Sequence, residues 1–140
     1  MQKTTKPTKI SEIKREWHLV DLKGKVLGKI AGEIALLLAG KSKPNFVRNL
    51  DCGDYVVVVN AKEVEVSGKK EEQKKYYRHS GYPHGFKQET LSNVRKDHPE
   101  RIITHAVAGM LPQSRLKARM LKRLFVFEGA EHKYADKFNK

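Results

Sequence analysis

The chain holds one cysteine and one tryptophan, and its longest apolar run is Ile34 to Ala39. Each shortage excludes something. A lone Cys52 cannot form an intramolecular disulfide or a Cys-x-x-Cys metal or redox pair. As a small loop or core residue it suits a reducing cytoplasm. The apolar run falls far short of the ~20 residues that cross a bilayer. The N-terminus, rich in Lys and Thr, lacks the apolar centre of a secretory leader. Acids are scarce too: 16 Asp and Glu stand against 29 Lys and Arg, a net charge of +13 over 140 residues. Such a field favours an anionic partner, nucleic acid before membrane. The excess is uneven. Lys74 to Lys87 and Gln113 to Arg123 each contain several cations and no acid.

What is present reads as one domain of mixed α/β type. Residues 1–15 form a flexible basic arm without apolar period, and residues 16–140 a single domain ending in a short polar tail. Trp17 to Leu22 is a short strand, and Gly24 a turn. Val26 to Ala39 is a helix apolar nearly all round, hence mostly buried. Gly28 and Gly32 share one of its faces, where backbone can approach a sheet. Gly40 stops it. The continuous run Tyr55 to Val59 (YVVVV) is a strand covered on both faces. Val64 and Val66, alternating with acids, suggest a further strand or strand end. Ser67 to Lys75 is a charged loop, and Tyr76 to His79 a short strand before a turn with Gly81, Pro83 and Gly85. Helices are expected from Glu89 to Lys96, from Pro99 to a stop at Pro112, and from Ser114. Leu124 to Phe127 is a last strand.

Few segments carry chemistry. AGKS, Ala39 to Ser42, is the nearest approach to a phosphate-binding loop. Ala35 stands where the first glycine is required, and the segment closes a helix instead of opening one. It reads as a glycine stop followed by lysines, with no nucleotide substrate. Six histidines come without His-Glu-x-x-His, Cys ligands or clear acid partners, so neither a catalytic site nor a metal is expected, and no cofactor. KKYYRHSGYPHGFK, Lys74 to Lys87, mixes flat rings with cations of one sign, the equipment for stacking on unpaired bases and holding phosphates. Along an extended strand Tyr76 and Tyr77 point to opposite sides, so one of them is core. Tyr82, His84 and Phe86, beside Gly and Pro, are the exposed candidates. In Ser114 to Leu124, Leu116, Met120, Leu121 and Leu124 share one helical face, and Arg115, Arg119, Lys122 and Arg123 the other. A face of unmixed cations suits a phosphate backbone. The expected RNA contacts are Lys41, Lys43, Arg48, Lys69, Lys70, Lys74, Lys75, Arg78, His79, Tyr82, His84, Phe86, Lys87, Arg115, Lys117, Arg119, Lys122 and Arg123.

Several stretches resemble the bacterial family of large ribosomal subunit protein 13: GKVLGKIAGEIA (Gly24 to Ala35), DCGDYVVVVNA (Asp51 to Ala61), YYRHSGYP (Tyr76 to Pro83), PERII (Pro99 to Ile103) and AVAGMLP (Ala106 to Pro112). They run in family order over nearly the whole chain. The resemblance implies a three-layer α/β/α domain with a four-stranded, mainly parallel sheet. It implies a non-catalytic constituent of the cytoplasmic large subunit, with large-subunit rRNA and neighbouring large-subunit proteins as partners, needed early in assembly. The chain departs from the family at His84, where the first glycine of a pair is usual, at Lys117 to Arg119, and at Lys133 to Lys137. None of these changes removes a cation.

Overall fold

The computed structural model describes residues 6–138. Five strands and five α-helices are present among them. The strands are β1 (Trp17–Asp21), β2 (Tyr55–Val59), β3 (Lys75–His79), β4 (Phe86–Thr90) and β5 (Leu124–Val126). The helices are α1 (Leu27–Ala39), α2 (Lys70–Gln73), α3 (Leu91–Asp97), α4 (Pro99–Met110) and α5 (Lys117–Leu121). β1, β2 and β5 make one parallel sheet with β2 central. β3 and β4 make a separate antiparallel hairpin. The mixed α/β class therefore holds, with three parallel strands among the described residues where four were expected. The stretch near Val64 gives only one parallel bridge, Val26 with Glu65, because Ala61–Glu63 curls into a 3-10 turn first. Residues 86–90, expected as turn and helix start, are strand β4. Their sequence FKQET has little apolar signal, and pairing with β3 decides their conformation.

The YVVVV strand is covered on both faces by different means. Val56 and Val58 point into the main core, against Ile34 and Leu38 of α1 and Ile103 and Val107 of α4. Val57 is equally buried on the other face, where rings replace helices. Trp17 stacks on Tyr55 at 4.4 Å, and Tyr134 packs on Phe125 at 4.5 Å. Phe138 meets Trp17 edge-on at 6.4 Å. The tail after Gly129, polar by composition, thus supplies rings to the sheet. Burying one such side chain contributes roughly 1.5–3 kcal/mol.

Two glycines permit the main core to close. Gly40 ends α1 with a left-handed φ of 77°. A Cβ on Gly53 would stand 1.6 Å from the Leu38 carbonyl oxygen, so only glycine lets the strand β2 approach the helix end. Gly28 and Gly32 do not lie against the sheet: a Cβ on Gly28 would meet nothing within 4 Å, and on Gly32 only the Met110 Sδ. A smaller cluster of Leu91, Val94 and Ile102 seats the hairpin through Tyr76. Of the N-terminal arm, residues 1–5 lie outside the described residues. Further on, Thr8 Oγ1 donates to the Asn45 carbonyl at 3.0 Å and Arg15 Nη1 to the Gly53 carbonyl at 2.6 Å, so this part lies against the loop between α1 and β2.

Candidate nucleic-acid interface

The hairpin sorts its side chains by strand alternation. In the register, Lys75 faces Thr90, Tyr77 faces Gln88 and His79 faces Phe86, all on one surface. Tyr76, Arg78, Lys87 and Glu89 share the other. Tyr76 is the inward ring. It packs on the Leu91 cluster and meets His105 edge-on at 5.2 Å. Burial pushes its phenol pKa up, against the fields of Arg95 and Arg101. Tyr77 turns outward, 64% exposed, and stacks on Phe86, 58% exposed, at 5.7 Å and 22°. Tyr82, 76% exposed, projects from the connecting loop.

That loop holds itself in shape. Ser80 N–H donates to the Gly85 carbonyl at 3.1 Å and Gly85 N–H to the Tyr82 carbonyl at 3.0 Å. His79 Nδ1 accepts from Gly81 N–H at 2.9 Å. Gly81 and His84 both take left-handed φ. The arrangement presents outward rings on a shaped loop and strand pair, and such rings can stack on splayed bases. That Tyr77, and not Tyr76, is the outward ring is not legible in the sequence. The signal lay in the pairing of β3 with β4, which places it beside Phe86.

The cations near the hairpin differ in their freedom. Among the described residues, Lys69, Lys70, Lys74, Lys75 and Lys87 are exposed and make no ion pair. Glu71, which sits between two of them in sequence, is taken by a fork from Arg95, with Nε–Oε1 at 2.9 Å and Nη2–Oε2 at 3.0 Å. Arg78 is partly answered by Glu89 at 4.0 Å, which Arg101 approaches at 3.2 Å.

The second basic group is smaller than the sequence suggested. α5 spans only Lys117–Leu121, with Arg115 in the turn before it. Arg115, Arg119 and Lys122 are exposed, whereas Lys117 is half-buried and its Nζ donates to Gln113 Oε1 at 3.1 Å. Arg119 lines a cleft of about 320 Å³ with Arg15, Asn49 and Leu50, which joins this group to the loop between α1 and β2. Lys41 and Arg48 lie on that loop.

Arg123 does not belong to this surface. It is 7% exposed, and its guanidinium forks onto the Asp51 carboxylate, with Nη2–Oδ1 at 2.6 Å. It also donates to the carbonyls of Leu38 at 3.1 Å and Asp54 at 3.2 Å. A helical wheel placed Arg123 outside, but the helix ends at Leu121, and the chain then turns it inward. Lys43 is likewise taken up. Its ammonium is paired with Asp54 and donates to the Lys14 carbonyl at 2.6 Å. Asp54, almost fully buried, accepts also from the Glu16 N–H at 2.9 Å and faces His18 Nε2 at 3.1 Å. Burial alone would push its carboxyl pKa up. The hydrogen bonds from Lys43, Glu16 and His18 outweigh that and hold it below the ordinary carboxylate value. These two cations fasten the loop and the ends of α1 and β5 together.

No three His, Cys, Asp or Glu among the described residues converge as a metal set. The fold and the site define a class: a basic α/β domain whose unpaired cations and outward rings gather on a hairpin and on loops beside the sheet. The chain belongs to the Ribosomal protein L13 family, whose profile matches residues 15–133. The resemblance seen in YYRHSGYP and AVAGMLP is borne out. It is 56% identical over 131 residues to the large ribosomal subunit protein uL13 of Dehalococcoides mccartyi (strain ATCC BAA-2100 / JCM 16839 / KCTC 5957 / BAV1), covering 94% of this chain and 92% of that one. It is 49% identical to the protein of that name from Geobacillus kaustophilus (93% and 90% covered). It is 51% identical to that of Prochlorococcus marinus (strain MIT 9312) (96% and 94% covered).

Proposed function

We propose that this chain is a non-catalytic structural constituent of the large ribosomal subunit in the cytoplasm. It binds large-subunit rRNA, meets neighbouring large-subunit proteins and supports early assembly and translation. The observation that carries the reading is the hairpin: the Tyr77–Phe86 stack stands outward on the same surface as Lys75, with Lys87 exposed on the other surface, and neither lysine has a carboxylate partner among the described residues. Rings there stack on bases, while Lys69, Lys70, Lys74, Arg115, Arg119 and Lys122 hold phosphates. Lys41, Arg48, Arg78, His79, Tyr82, His84 and Lys117 complete the contact surface. No helix among the described residues is long and apolar enough to cross a membrane.

Residues 16–140 act as one rRNA-binding unit, with residues 1–15 as its basic arm. The four-stranded sheet and second helical layer belong to this reading too. What supports them is family membership, not the strand pairings described above. Sedimentation of a cell lysate tests the function. The chain travels with large subunits and stays with them through a moderate-salt wash. A chain that remains at the top of the gradient overturns the reading.

A further inference from the structure

At the root of the hairpin lies a cleft of about 360 Å³ that the outward rings do not use. It opens between the start of α1, the end of α4 and β3. Val26, Leu27, Leu91 and Met110 give it apolar walls, and Tyr76 with His105 closes one side. Its volume sits near the small end of ligand-sized pockets, about 300–1,000 Å³. Gly28 contributes no bulk to the wall: a Cβ there would meet nothing within 4 Å. The mouth carries Ser67, Lys70 and Lys74. Both lysines are exposed and without a carboxylate partner among the described residues: of the two intervening acids, Arg95 holds Glu71, and Glu72 pairs with neither lysine. The Lys74 ammonium stands 5.8 Å from the Tyr76 ring centre.

A slot with apolar walls takes a flat or apolar body, and two unanswered ammonium groups at its mouth select one that brings negative charge. An apolar side chain of a basic partner protein enters past two like charges. A nucleobase enters with its own phosphate placed against them. We propose that this cleft receives one unstacked nucleobase of the rRNA, with a flanking phosphate held by Lys70 and Lys74. The proposal rests on the rRNA-binding reading and deepens it, yet it can fail alone.

The test uses the full chain, a large-subunit rRNA transcript and reagents that modify unpaired bases. Gly28→Phe fills the cleft from a position with open space around it, so the melting temperature holds. The wild type protects an unpaired base that Gly28→Phe re-exposes, with the rest of the footprint kept. Affinity falls roughly 5- to 150-fold, the range for one stacked base. If Gly28→Phe leaves footprint and affinity unchanged, the proposal is overturned and the rRNA reading stands. The proposal is overturned in the same way if Gly28→Phe keeps rRNA affinity but loses a neighbouring protein from reconstituted subunits. If the wild type gives no footprint at all, the rRNA reading itself has failed. Should Gly28→Phe lower the melting temperature, Lys70→Glu with Lys74→Glu at the exposed mouth provides the second reading. It must re-expose that same base, and continued protection overturns the proposal.

Discussion

Arg123 separates two accounts of one residue. From its spacing it is a phosphate contact; from its surroundings it is an internal clasp. Arg123→Ala removes a guanidinium whose side chain is 8% exposed and leaves Asp51, 9% exposed, with only the partly exposed Arg15, at 3.5 Å, as a cationic neighbour. Screening by solvent is small at such burial. Removing one member of a buried pair costs about 3–5 kcal/mol, because the remaining charge stays desolvated. That is a large share of the ~5–15 kcal/mol that holds an ordinary domain folded. For a chain of this size each kcal/mol lowers the melting point by roughly 3 °C, so the expected drop is about 10–15 °C. Asp51→Ala falls by a similar amount. The double variant Arg123→Met with Asp51→Leu falls by less than the sum, since the forked pair leaves together and Arg15, the other cation near Asp51, is partly exposed and keeps its bonds to the Gly53 and Asp51 carbonyls. Thermal and urea unfolding give the stabilities. Filter binding to an rRNA transcript, at a temperature where every variant is folded, gives the affinities. The clasp predicts lost stability with affinity within about twofold of wild type once folded. If Arg123→Ala melts within a degree or two of wild type and loses as much affinity as Arg119→Ala, the clasp is wrong and the phosphate reading of Arg123 is right.

The outward rings and the exposed cations divide their labour. Tyr77→Ala weakens a cognate rRNA fragment more than an unrelated RNA of equal length, by about 1–3 kcal/mol for one lost stack. Arg119→Ala weakens both alike and reduces the log–log salt slope by about 1; equal losses for Tyr77→Ala on the two RNAs would refute the division. Asp54 gives a pH signature. Its native carboxyl titrates below the unfolded value of about 3.9, so its contribution to stability is complete above pH ~4 and is lost as pH falls through the native value. The stability gap between wild type and Asp54→Asn, followed by urea unfolding from pH 7 downward, is constant to about pH 4 and closes below it. A gap that persists unchanged to pH 2 contradicts this account.

The sequence was most informative where one residue type filled a whole element. YVVVV could only be a strand buried on both faces, and Val26 to Ala39, apolar nearly all round, only a mostly buried helix. Pro99 and Pro112 marked the ends of α4 because proline suits a first turn and ends a helix before itself. The hairpin was half legible. KYYRH alternates, but FKQET declares itself only through its partner across the ladder. Arg123 and Lys43 were illegible for a different reason. A cation in a basic run looks the same whether it meets solvent or a carboxylate, and Asp51 is 72 residues away from Arg123 in the chain. The rings of the tail were hidden among polar neighbours, so composition described their setting and not their direction.

The stack on the second face of the sheet has a bearing on the order in which the chain matures. Trp17 and Tyr55 leave the synthesising ribosome early, while Phe125, Tyr134 and Phe138 are among the last described residues to do so. Folding during synthesis runs from the N-terminal side, and contacts of such wide sequence separation form slowly. Until Tyr134 and Phe138 arrive, the indole and its neighbour have one side open to water, whatever the progress of the opposite core. Completion of this face therefore waits on residues 125–138, and a chain stopped short of those rings would carry an adhesive aromatic surface of the kind on which unfinished proteins associate.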